Sequence, residues 1–467
     1  MVSLSSSFLE GKSVLVTGVT GFVGKAVLES LLRDHSLHMK KIYCLIRSKG
    51  EQTAQQRLEQ VLENELFDQI HHGSSKLVAV DGDMSAVGLG ISHEDLKMLQ
   101  GDLDVAIHMA ASVSFDSPLL QAFKTNTRGS VELMQICESC PQFQGLVYVS
   151  TAYANTNLEP GVIDEKLYEM PLGEPAALYG EIKAMDEHQA LQFSTKVLKQ
   201  YPSTYVFVKA LTEHMLMAHA KVAIARLSIV TSTIQDPIPG WSDGHMGANG
   251  AAIYVGTGIL DSLLGRPEVI MDCVPVDYAT NCILRICHHL LANNTNAIFH
   301  LASSTINPLP YGVFFDAILT AWRQLPPLNS RIFPPDFHFV ASPTAHTERL
   351  NAIKEFKFHT LPRLIADKNY AARLARAEKK LDKFHANFDA LIAAPWIFQT
   401  SNMLSLEASQ AHLTTITSSN VNSTRLRCLD WPSYFFNFIH GIHRFVLKEP
   451  SPHNPAMPHL AAVQSHV

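Results

Sequence analysis

The sequence contains no uninterrupted apolar stretch long enough to cross a lipid bilayer. The Ser-rich residues after Met1 also lack the charged and apolar regions of a secretory signal. The seven cysteines are dispersed, and the one close pair, Cys137 and Cys140, has no second pair with which to form a zinc site. We therefore expect reduced thiols, no metal, and an intracellular protein that is cytoplasmic or peripherally associated with a membrane.

Positive charge is also scarce. The net charge is −6 at pH 7 and no long basic run occurs, so a nucleic-acid partner is not expected. Apolar residues make up 46% of the 467 residues, which is enough for a large core in two domains. We place the first domain at residues 1–305 and a smaller, mainly helical domain with a loose tail at residues 306–467.

A strand, a glycine turn and a helix follow one another between Lys12 and Lys25. Gly18 lets the chain reverse, Gly21 lets the backbone approach a pyrophosphate, and Gly24 lets the helix pack closely on the strand. The free N–H groups at the start of the helix favour phosphate, so the segment predicts a dinucleotide site. The residues expected to contact the cofactor here are Thr17, Gly18, Thr20, Gly21, Phe22, Val23 and Gly24.

Further β-branched runs alternate with helical patterns downstream of this turn. The predicted strands cover residues 13–17, 41–47, 76–83, 104–111, 145–153 and 222–230. Strands that alternate with helices form parallel sheets, because each crossover helix returns the chain to the same edge. The sequence therefore predicts an α/β fold with a doubly wound parallel Rossmann sheet, followed by the smaller helical domain.

The second strand ends in Arg47, and no acidic residue occurs before Glu51. An acidic residue at this place binds the ribose hydroxyls of NAD, whereas a basic one accommodates the 2′-phosphate of NADP. NADPH is therefore the expected cofactor, and the alternative is a solvated Arg47. We also expect Asp83 to meet the adenine amine and Ala110 to leave room for the cofactor, and we interpret His108 as a core histidine.

Reduction of a carbonyl needs a proton donor and a second hydrogen bond at the carboxyl edge of the sheet, where Ser150 and Thr151 end the fifth strand. A Tyr and a Lys four residues apart share one helix face, and the ammonium lowers the pKa of the phenol. Tyr205 and Lys209 precede the next core strand, so we assign them as catalytic, with Lys209 also holding the cofactor ribose. A second pair, Tyr179 and Lys183, is interpreted as a surface coincidence.

Several segments carry a resemblance to known families. Thr17-Gly-x-x-Gly-x-x-Gly24 resembles the signature of extended short-chain dehydrogenases/reductases. Val149-Ser-Thr-Ala-Tyr-Ala-Asn155 and Pro202–Glu213 resemble the active-site region of fatty acyl-CoA reductases, with Ser203 where asparagine is usual. Three more segments are similar to parts of the same family: Arg226–Val230, with Leu227 where proline is usual, Val274–Ala279, and Arg425–Lys448 near the end of its C-terminal domain.

The resemblance implies NADPH-dependent reduction of long-chain fatty acyl-CoA to fatty alcohol through an aldehyde, a step of wax or ether lipid synthesis. The alternatives are another extended short-chain oxidoreductase, acting on a carrier-bound thioester, a hydroxysteroid or a sugar nucleotide, or a non-catalytic NADP-binding scaffold. Acyl chain length, the released product and the oligomeric state stay open.

The apolar stripe Tyr434–Leu447 has two interpretations. Core packing is favoured, and the other is a surface that docks on membranes or wraps an acyl chain, giving peripheral membrane contact. The final Ser465-His-Val467 is distantly similar to a peroxisomal tripeptide.

Overall fold

The computed structural model describes residues 7–70, 73–329, 332–365, 368–392, 394–413, 416, 418–419 and 421–449. The strands found there are β1 (Ser13–Thr17), β2 (Lys41–Ile46), β3 (Leu77–Asp81), β4 (Val105–His108), β5 (Gly145–Thr151), β6 (Val162–Ile163), β7 (Val222–Leu227), β8 (Ile229–Thr231), β9 (Ser262–Leu264), β10 (Cys273–Pro275), β11 (Ala297–Leu301), β12 (His338–Val340) and β13 (Ile397–Phe398).

The α-helices of the same residues are α1 (Phe22–His35), α2 (Ala54–Leu62), α3 (His93–Asp102), α4 (Leu119–Ala122), α5 (Gly129–Glu138), α6 (Pro175–Ala184), α7 (Glu187–Gln200), α8 (Thr204–Met217), α9 (Gly247–Gly256), α10 (Val276–Asn293), α11 (Tyr311–Gln324), α12 (Pro343–Lys354), α13 (Leu361–Ile365), α14 (Lys368–Ile392), α15 (Ser401–Ser409), α16 (Ser423–Arg427) and α17 (Trp431–Gly441). Three π-helical turns accompany them at Phe123–Arg128, Glu355–Thr360 and Ile442–Val446.

Seven of these strands form one parallel sheet in the order β11-β7-β5-β4-β1-β2-β3. Helices cover both faces, so β1, β4, β5 and β7 are buried along their whole length. The strand order reverses between β1 and β4, and the carboxyl ends of these two strands therefore border the crevice in which such sheets bind ligands. The predicted doubly wound α/β sheet is confirmed, with β11 as an added seventh strand.

The prediction of one continuous strand over residues 222–230 is wrong. Strand β7 ends at Leu227: Ser228 N still donates to Leu301 O of β11 (3.0 Å), but Ile229 N donates to Asp272 O (3.2 Å), next to β10. The chain thereby leaves the large sheet, and β8 pairs instead with β10 in a separate parallel ladder.

Elements beyond residue 306 pack directly on earlier ones. Helix α11 lies against α9 and α17, β12 pairs with β9, and β13 pairs with β6. The smaller second part of the chain is thus built on segments from both sides of residue 305, and the boundary itself stays a prediction.

The apolar stripe Tyr434–Leu447, on α17 and the π-helical turn after it, belongs to this packing. Tyr434, Phe435, Phe438 and Ile442 are buried, and the rings of Phe435 and Phe314 meet edge to face at 4.9 Å. The interpretation of the stripe as core packing is confirmed.

The predicted tail and its final tripeptide, Ser465–Val467, lie outside the described residues, which end at Glu449. None of the helices in the described part of the chain combines the length and the apolar character that a membrane crossing requires. The intracellular location stays a prediction.

Two glycines let α17 touch the segment after β8 backbone to backbone. A Cβ added at Gly441 would lie 1.7 Å from Gly240 O, and one added at Gly240 would lie 2.6 Å from Asn437 O. Neither backbone has room to accept a side chain at this contact.

We expect Gly441→Ala to lower the free energy of unfolding by roughly 1–3 kcal/mol, because the two backbones must separate. Gly180→Ala on α6 is the matched control, since its Cβ would meet nothing within 4 Å. It should raise the free energy of unfolding by about 0.5–1 kcal/mol, as an alanine in a helix interior does. Urea unfolding measures both, and a Gly441→Ala protein as stable as the wild type would contradict the contact.

Candidate active site

The glycine turn lies at the reversal point of the sheet. Gly18 has a φ of +81°, and a Cβ there would lie 2.8 Å from Ala110 N, so the turn packs on the backbone that follows β4. A Cβ at Gly24 would lie 2.0 Å from Gly18 O, which brings α1 against the turn as predicted. Gly18, Gly24 and Ala110 thus hold three segments together at one edge.

The turn keeps one side open for a ligand. A Cβ at Gly21 would meet only Gly18 O, at 3.3 Å, and no side chain caps the N-terminus of α1. No acidic residue occupies the first turn of this helix, so its N–H groups and its partial positive charge are available to phosphate. Thr20 and Val23 are half-buried beside it. These residues fit the pyrophosphate of a dinucleotide cofactor.

Thr17 faces the sheet. Its Oγ1 accepts hydrogen bonds from Met109 N (3.1 Å) and Ala110 N (3.0 Å) and pairs with His108 Nδ1 (2.7 Å). The other ring nitrogen of His108 pairs with Ser130 Oγ at 2.8 Å, and burial lowers the pKa of His108 to about 3. The interpretation of His108 as a core histidine is confirmed, and Thr17 holds the end of β4 next to the glycine turn.

Arg47 and Asp83 meet at the ends of β2 and β3. Arg47 Nη1 donates to Asp83 Oδ2 at 3.3 Å, and the other carboxylate oxygen accepts from the backbone and hydroxyl of Ser85. Arg57 of α2 donates to the backbone carbonyl of Arg47 and brings a second guanidinium to this place. The sequence reasoning missed Arg57, although it lies one helical turn after the Thr53 cap that starts α2.

Tyr205 and Lys209 lie in the first turns of α8, which begins after Ser203. The Ser203 hydroxyl accepts a hydrogen bond from Val206 N at 3.2 Å. Ser203 therefore caps the helix N-terminus as an asparagine would. Both functional side chains are buried, and the ring of Phe115, from the loop after β4, lies 5.2 Å from that of Tyr205.

Lys209 points at β5. Its Nζ donates to Tyr148 Oη (2.7 Å) and to Val149 O (2.9 Å). Burial lowers the pKa of the ammonium to about 7, although the Glu213 carboxylate opposes the shift. A lysine poised near neutrality in a crevice is typical of a functional site.

The expected lowering of the phenol pKa by Lys209 is not found. Burial raises the pKa of Tyr205 above its usual range. The reason is that the Lys209 ammonium is directed to Tyr148 and to the backbone of β5 rather than to Tyr205.

Ser150 and Thr151 end β5 as predicted, but their hydroxyls differ. Thr151 Oγ1 accepts from Tyr153 N at 3.3 Å. Ser150 Oγ is buried and has no hydrogen-bond partner among the described residues. A buried hydroxyl without a partner is costly, so Ser150 is the one ready to bind a ligand.

The other Tyr-x-x-x-Lys pair lies elsewhere, on α6. Tyr179 packs on Phe123 at 5.3 Å between ring centroids, and the exposed Lys183 lies over the Tyr179 ring at 5.8 Å. This is a local helix-surface contact, in agreement with its interpretation as a coincidence.

Two further residues support the site and were missed by the sequence reasoning. Tyr148 alternates with Ser150 along β5, and this alternation was the available signal. Asn126, in the π-helical turn, donates to Ser112 O (2.9 Å) and accepts from Ser112 N (2.8 Å). It thereby fixes the loop after β4, whose Phe115 contacts Tyr205.

Comparisons with known proteins agree with this arrangement. The model of an NAD-binding family described as Male sterility protein matches residues 16–283. Fatty acyl-CoA reductase 1 of Rattus norvegicus is 30% identical over 472 residues, which cover 98% of this chain and 88% of the relative. The chain belongs to the fatty acyl-CoA reductase family. Fatty acyl-CoA reductase 2 of Homo sapiens is 29% identical over 464 residues, covering 96% of this chain and 87% of that protein.

Membership of the fatty acyl-CoA reductase family makes the chain an oxidoreductase with a nicotinamide cofactor, and it confirms the recognition from motifs. Among solved structures, the terminal R domain from the myxalamid PKS-NRPS biosynthetic pathway superimposes with a TM-score of 0.62 at 18% identity, covering 95% of this chain and 93% of that one. The reductase domain of a non-ribosomal peptide synthetase from Mycobacterium tuberculosis gives a TM-score of 0.60 at 16% identity, covering 95% and 94%. Both show the fold.

We expect Tyr148→Phe to shift the pH dependence of cofactor binding downwards by about one unit. The ammonium of Lys209 attracts the anionic cofactor below its pKa of about 7 and loses its charge above it. Without the Tyr148 oxygen the charged form loses an acceptor, so the pKa falls further. Fluorescence titration with the reduced cofactor across neutral pH measures the midpoint. Tyr201→Phe, which removes another buried tyrosine hydroxyl, should leave it unchanged, and an equal shift in both variants would contradict the role of Tyr148.

Proposed function

We propose that the chain reduces long-chain fatty acyl-CoA to fatty alcohol with NADPH, through an aldehyde. The observation that carries the proposal is the buried Lys209 ammonium under the end of β5, with Tyr205 one helical turn before it and Ser150 on the strand. The names of the human and rat relatives support the substrate class, since both proteins are called fatty acyl-CoA reductases.

The preference for NADPH rests on charge at the end of β2. Arg47 follows the strand, and Arg57 lies against its carbonyl. Two guanidinium groups suit the additional 2′-phosphate, because an arginine binds phosphate through charge-assisted hydrogen bonds. The Gly18–Gly24 turn and the α1 N-terminus would hold the pyrophosphate, Asp83 the adenine amine, and Ala110 and Lys209 the nicotinamide end.

The side chains act on the thioester carbonyl. When bound, NADPH supplies a hydride to the carbonyl carbon. Tyr205 donates a proton to the carbonyl oxygen, and the Ser150 or Thr151 hydroxyl gives that oxygen a second hydrogen bond. Lys209 supplies positive charge close to the phenol once a ligand displaces it from Tyr148. In the resulting hemithioacetal the C–S bond breaks, the hydroxyl proton passes to the sulfur, and aldehyde and CoA are formed.

The same side chains then serve a second reduction. The aldehyde carbonyl needs the same proton donor and the same hydrogen bond as the thioester did. Tyr205, which regains its proton from solvent, protonates the alkoxide, the hydride for this step would come from a second NADPH, and one site accounts for both steps.

We expect Arg47→Ala to lower kcat/KM for NADPH about 10- to 100-fold and to leave the value for NADH nearly unchanged. The loss corresponds to the roughly 1.5–3 kcal/mol of one hydrogen bond to a charged group. Removal of an exposed cation on α11, in Arg323→Ala, is the control and should alter neither value. A parallel loss with both cofactors would contradict 2′-phosphate recognition by Arg47.

We expect Tyr205→Phe to lower the rate of acyl-CoA reduction at least ~100-fold, the usual contribution of a general acid. Tyr179→Phe, the same change in the other Tyr-x-x-x-Lys pair, should retain nearly the wild-type rate. The assay follows NADPH oxidation with acyl-CoAs of increasing length, and extraction of the products gives the ratio of aldehyde to alcohol.

Equal rates for Tyr205→Phe and the wild type would reject the assignment of the proton donor. Wild-type protein that binds NADPH but oxidises none with any acyl-CoA would overturn the substrate class. Carrier-bound thioesters would then be the next substrates to assay.

A further inference from the structure

Helix α14 carries opposite charges on its two flanks. Its buried face is formed by Leu374, Ala377, Leu381 and Phe384, which recur at helical spacing and join the main hydrophobic core. Phe384 meets Tyr254 of α9 edge to face at 5.6 Å, so this face fixes the rotation of the helix.

The acidic flank of α14 is occupied by neighbouring side chains. Glu378 pairs with His359 at 3.1 Å, and Asp382 pairs with Lys354 at the end of α12. These two carboxylates therefore attach α14 to the end of α12 and to the π-helical turn Glu355–Thr360.

The basic flank of α14 consists of Arg373, Arg376, Lys380 and Lys383, spaced three, four and three residues apart on one side of the helix. All four are exposed. Lys383 Nζ lies 3.2 Å from Asp116 Oδ2. Asp116 follows Phe115, whose ring contacts Tyr205, so the basic flank reaches the loop that borders the proton donor.

Lys380, one helical turn before Lys383, acts on the loop between β8 and α9. Burial, and after it the charge of Lys380, lower the pKa of His245 in this loop. Asp243 of this loop pairs with Lys25 at 2.7 Å, and Trp241 meets Phe22 at 5.2 Å, both beside the glycine turn. The Lys383 end of the basic flank therefore lies beside the loop that borders Tyr205, and Arg376 and Arg373 follow at increasing distance along the helix.

Three of these cations lack anionic partners. Within the part of the chain that the structure describes, no carboxylate forms an ion pair with Arg373, Arg376 or Lys380. The whole chain carries a net charge of −6, so three unpaired cations side by side on one flank of a helix contrast with the rest of the protein. Such a group raises the local concentration of an anionic ligand.

We propose that Arg373, Arg376 and Lys380 bind the phosphate groups of the CoA portion of the substrate. The inference rests on the proposed function, and it adds the site that holds the nucleotide end of the thioester outside the crevice. CoA carries a 3′-phosphate and a diphosphate. A guanidinium group binds phosphate through two parallel hydrogen bonds, and an ammonium group binds it as a compact charge, so two arginines and a lysine suit these phosphates. The pantetheine arm would then run between the two loops towards Tyr205.

Direct binding of CoA, without turnover, tests the proposal by isothermal titration. R373Q/R376Q/K380Q should weaken CoA binding at least about tenfold, as loss of charge-assisted hydrogen bonds does. The same variant should bind pantetheine, which has no phosphate, as tightly as the wild type does. Wild-type affinity for CoA should fall as salt is added, whereas that of the variant should respond little.

The control is K97Q/K199Q/R427Q, which removes the same charge from exposed positions on α3, α7 and α16. It should bind CoA as the wild type does, and R373K/R376K, which keeps the charge, should retain most of the affinity. Undiminished CoA binding by R373Q/R376Q/K380Q, equal weakening in the control, or equal loss of pantetheine binding would each overturn the proposal.

Sedimentation with phosphatidylserine vesicles tests whether the basic flank binds a lipid surface instead of CoA. If the triple variant loses vesicle binding and keeps CoA binding, the flank binds headgroups and the proposal is wrong. If the wild type binds CoA through these residues but reduces no acyl-CoA, the proposed function fails while the CoA site stands. If it reduces acyl-CoA and the triple variant keeps the wild-type KM, the CoA site alone fails.

Discussion

The buried ion pair of Arg226 and Glu213 is the constraint on which the geometry of the site depends. Glu213 lies one helical turn after Lys209, and its carboxylate accepts three hydrogen bonds from the Arg226 guanidinium, at 2.7–3.2 Å. The remaining donors of Arg226 go to Asp164 O, Lys166 O and the His300 ring. One guanidinium thereby ties α8 to β7, β11 and the segment after β6. Removing either partner of such a pair leaves an uncompensated buried charge, at a cost of about 3–5 kcal/mol.

Because α8 is held in this way, Lys209 has no freedom to turn towards solvent. Its ammonium stays in a region of low dielectric, where burial favours the neutral amine and the Glu213 carboxylate favours the charged one. The balance leaves the pKa near neutrality. The pKa of Lys209 is therefore set by the same helix and strand that fix its position.

Close backbone approach is the second principle of the fold. The glycine turn packs on the end of β4 through Gly18 and on α1 through Gly24, and the segment after β8 touches α17 through Gly240 and Gly441. The first contact forms the edge that would receive a dinucleotide. The second attaches α17 to the segment that follows β8. The two parts of the chain act as one structure at the place where chemistry is proposed.

The sequence by itself determined the parallel sheet and the glycine turn, because strand and helix periodicities are local properties. It also selected Tyr205 with Lys209 over the other Tyr-x-x-x-Lys pair, because these two residues precede the next core strand, and their catalytic role stays a prediction. It also indicated that His108 is a core residue. Only the tertiary structure decided where the Lys209 ammonium goes, that Ser150 rather than Thr151 has an unpaired hydroxyl, and that β7 ends at Leu227. Those outcomes depend on partners such as Tyr148, Tyr153 and Asp272, whose side chains or backbones meet through packing that no local pattern records. The same holds for the charged flanks of α14. Their helical spacing is visible in the sequence, but the neighbours that each flank meets are not.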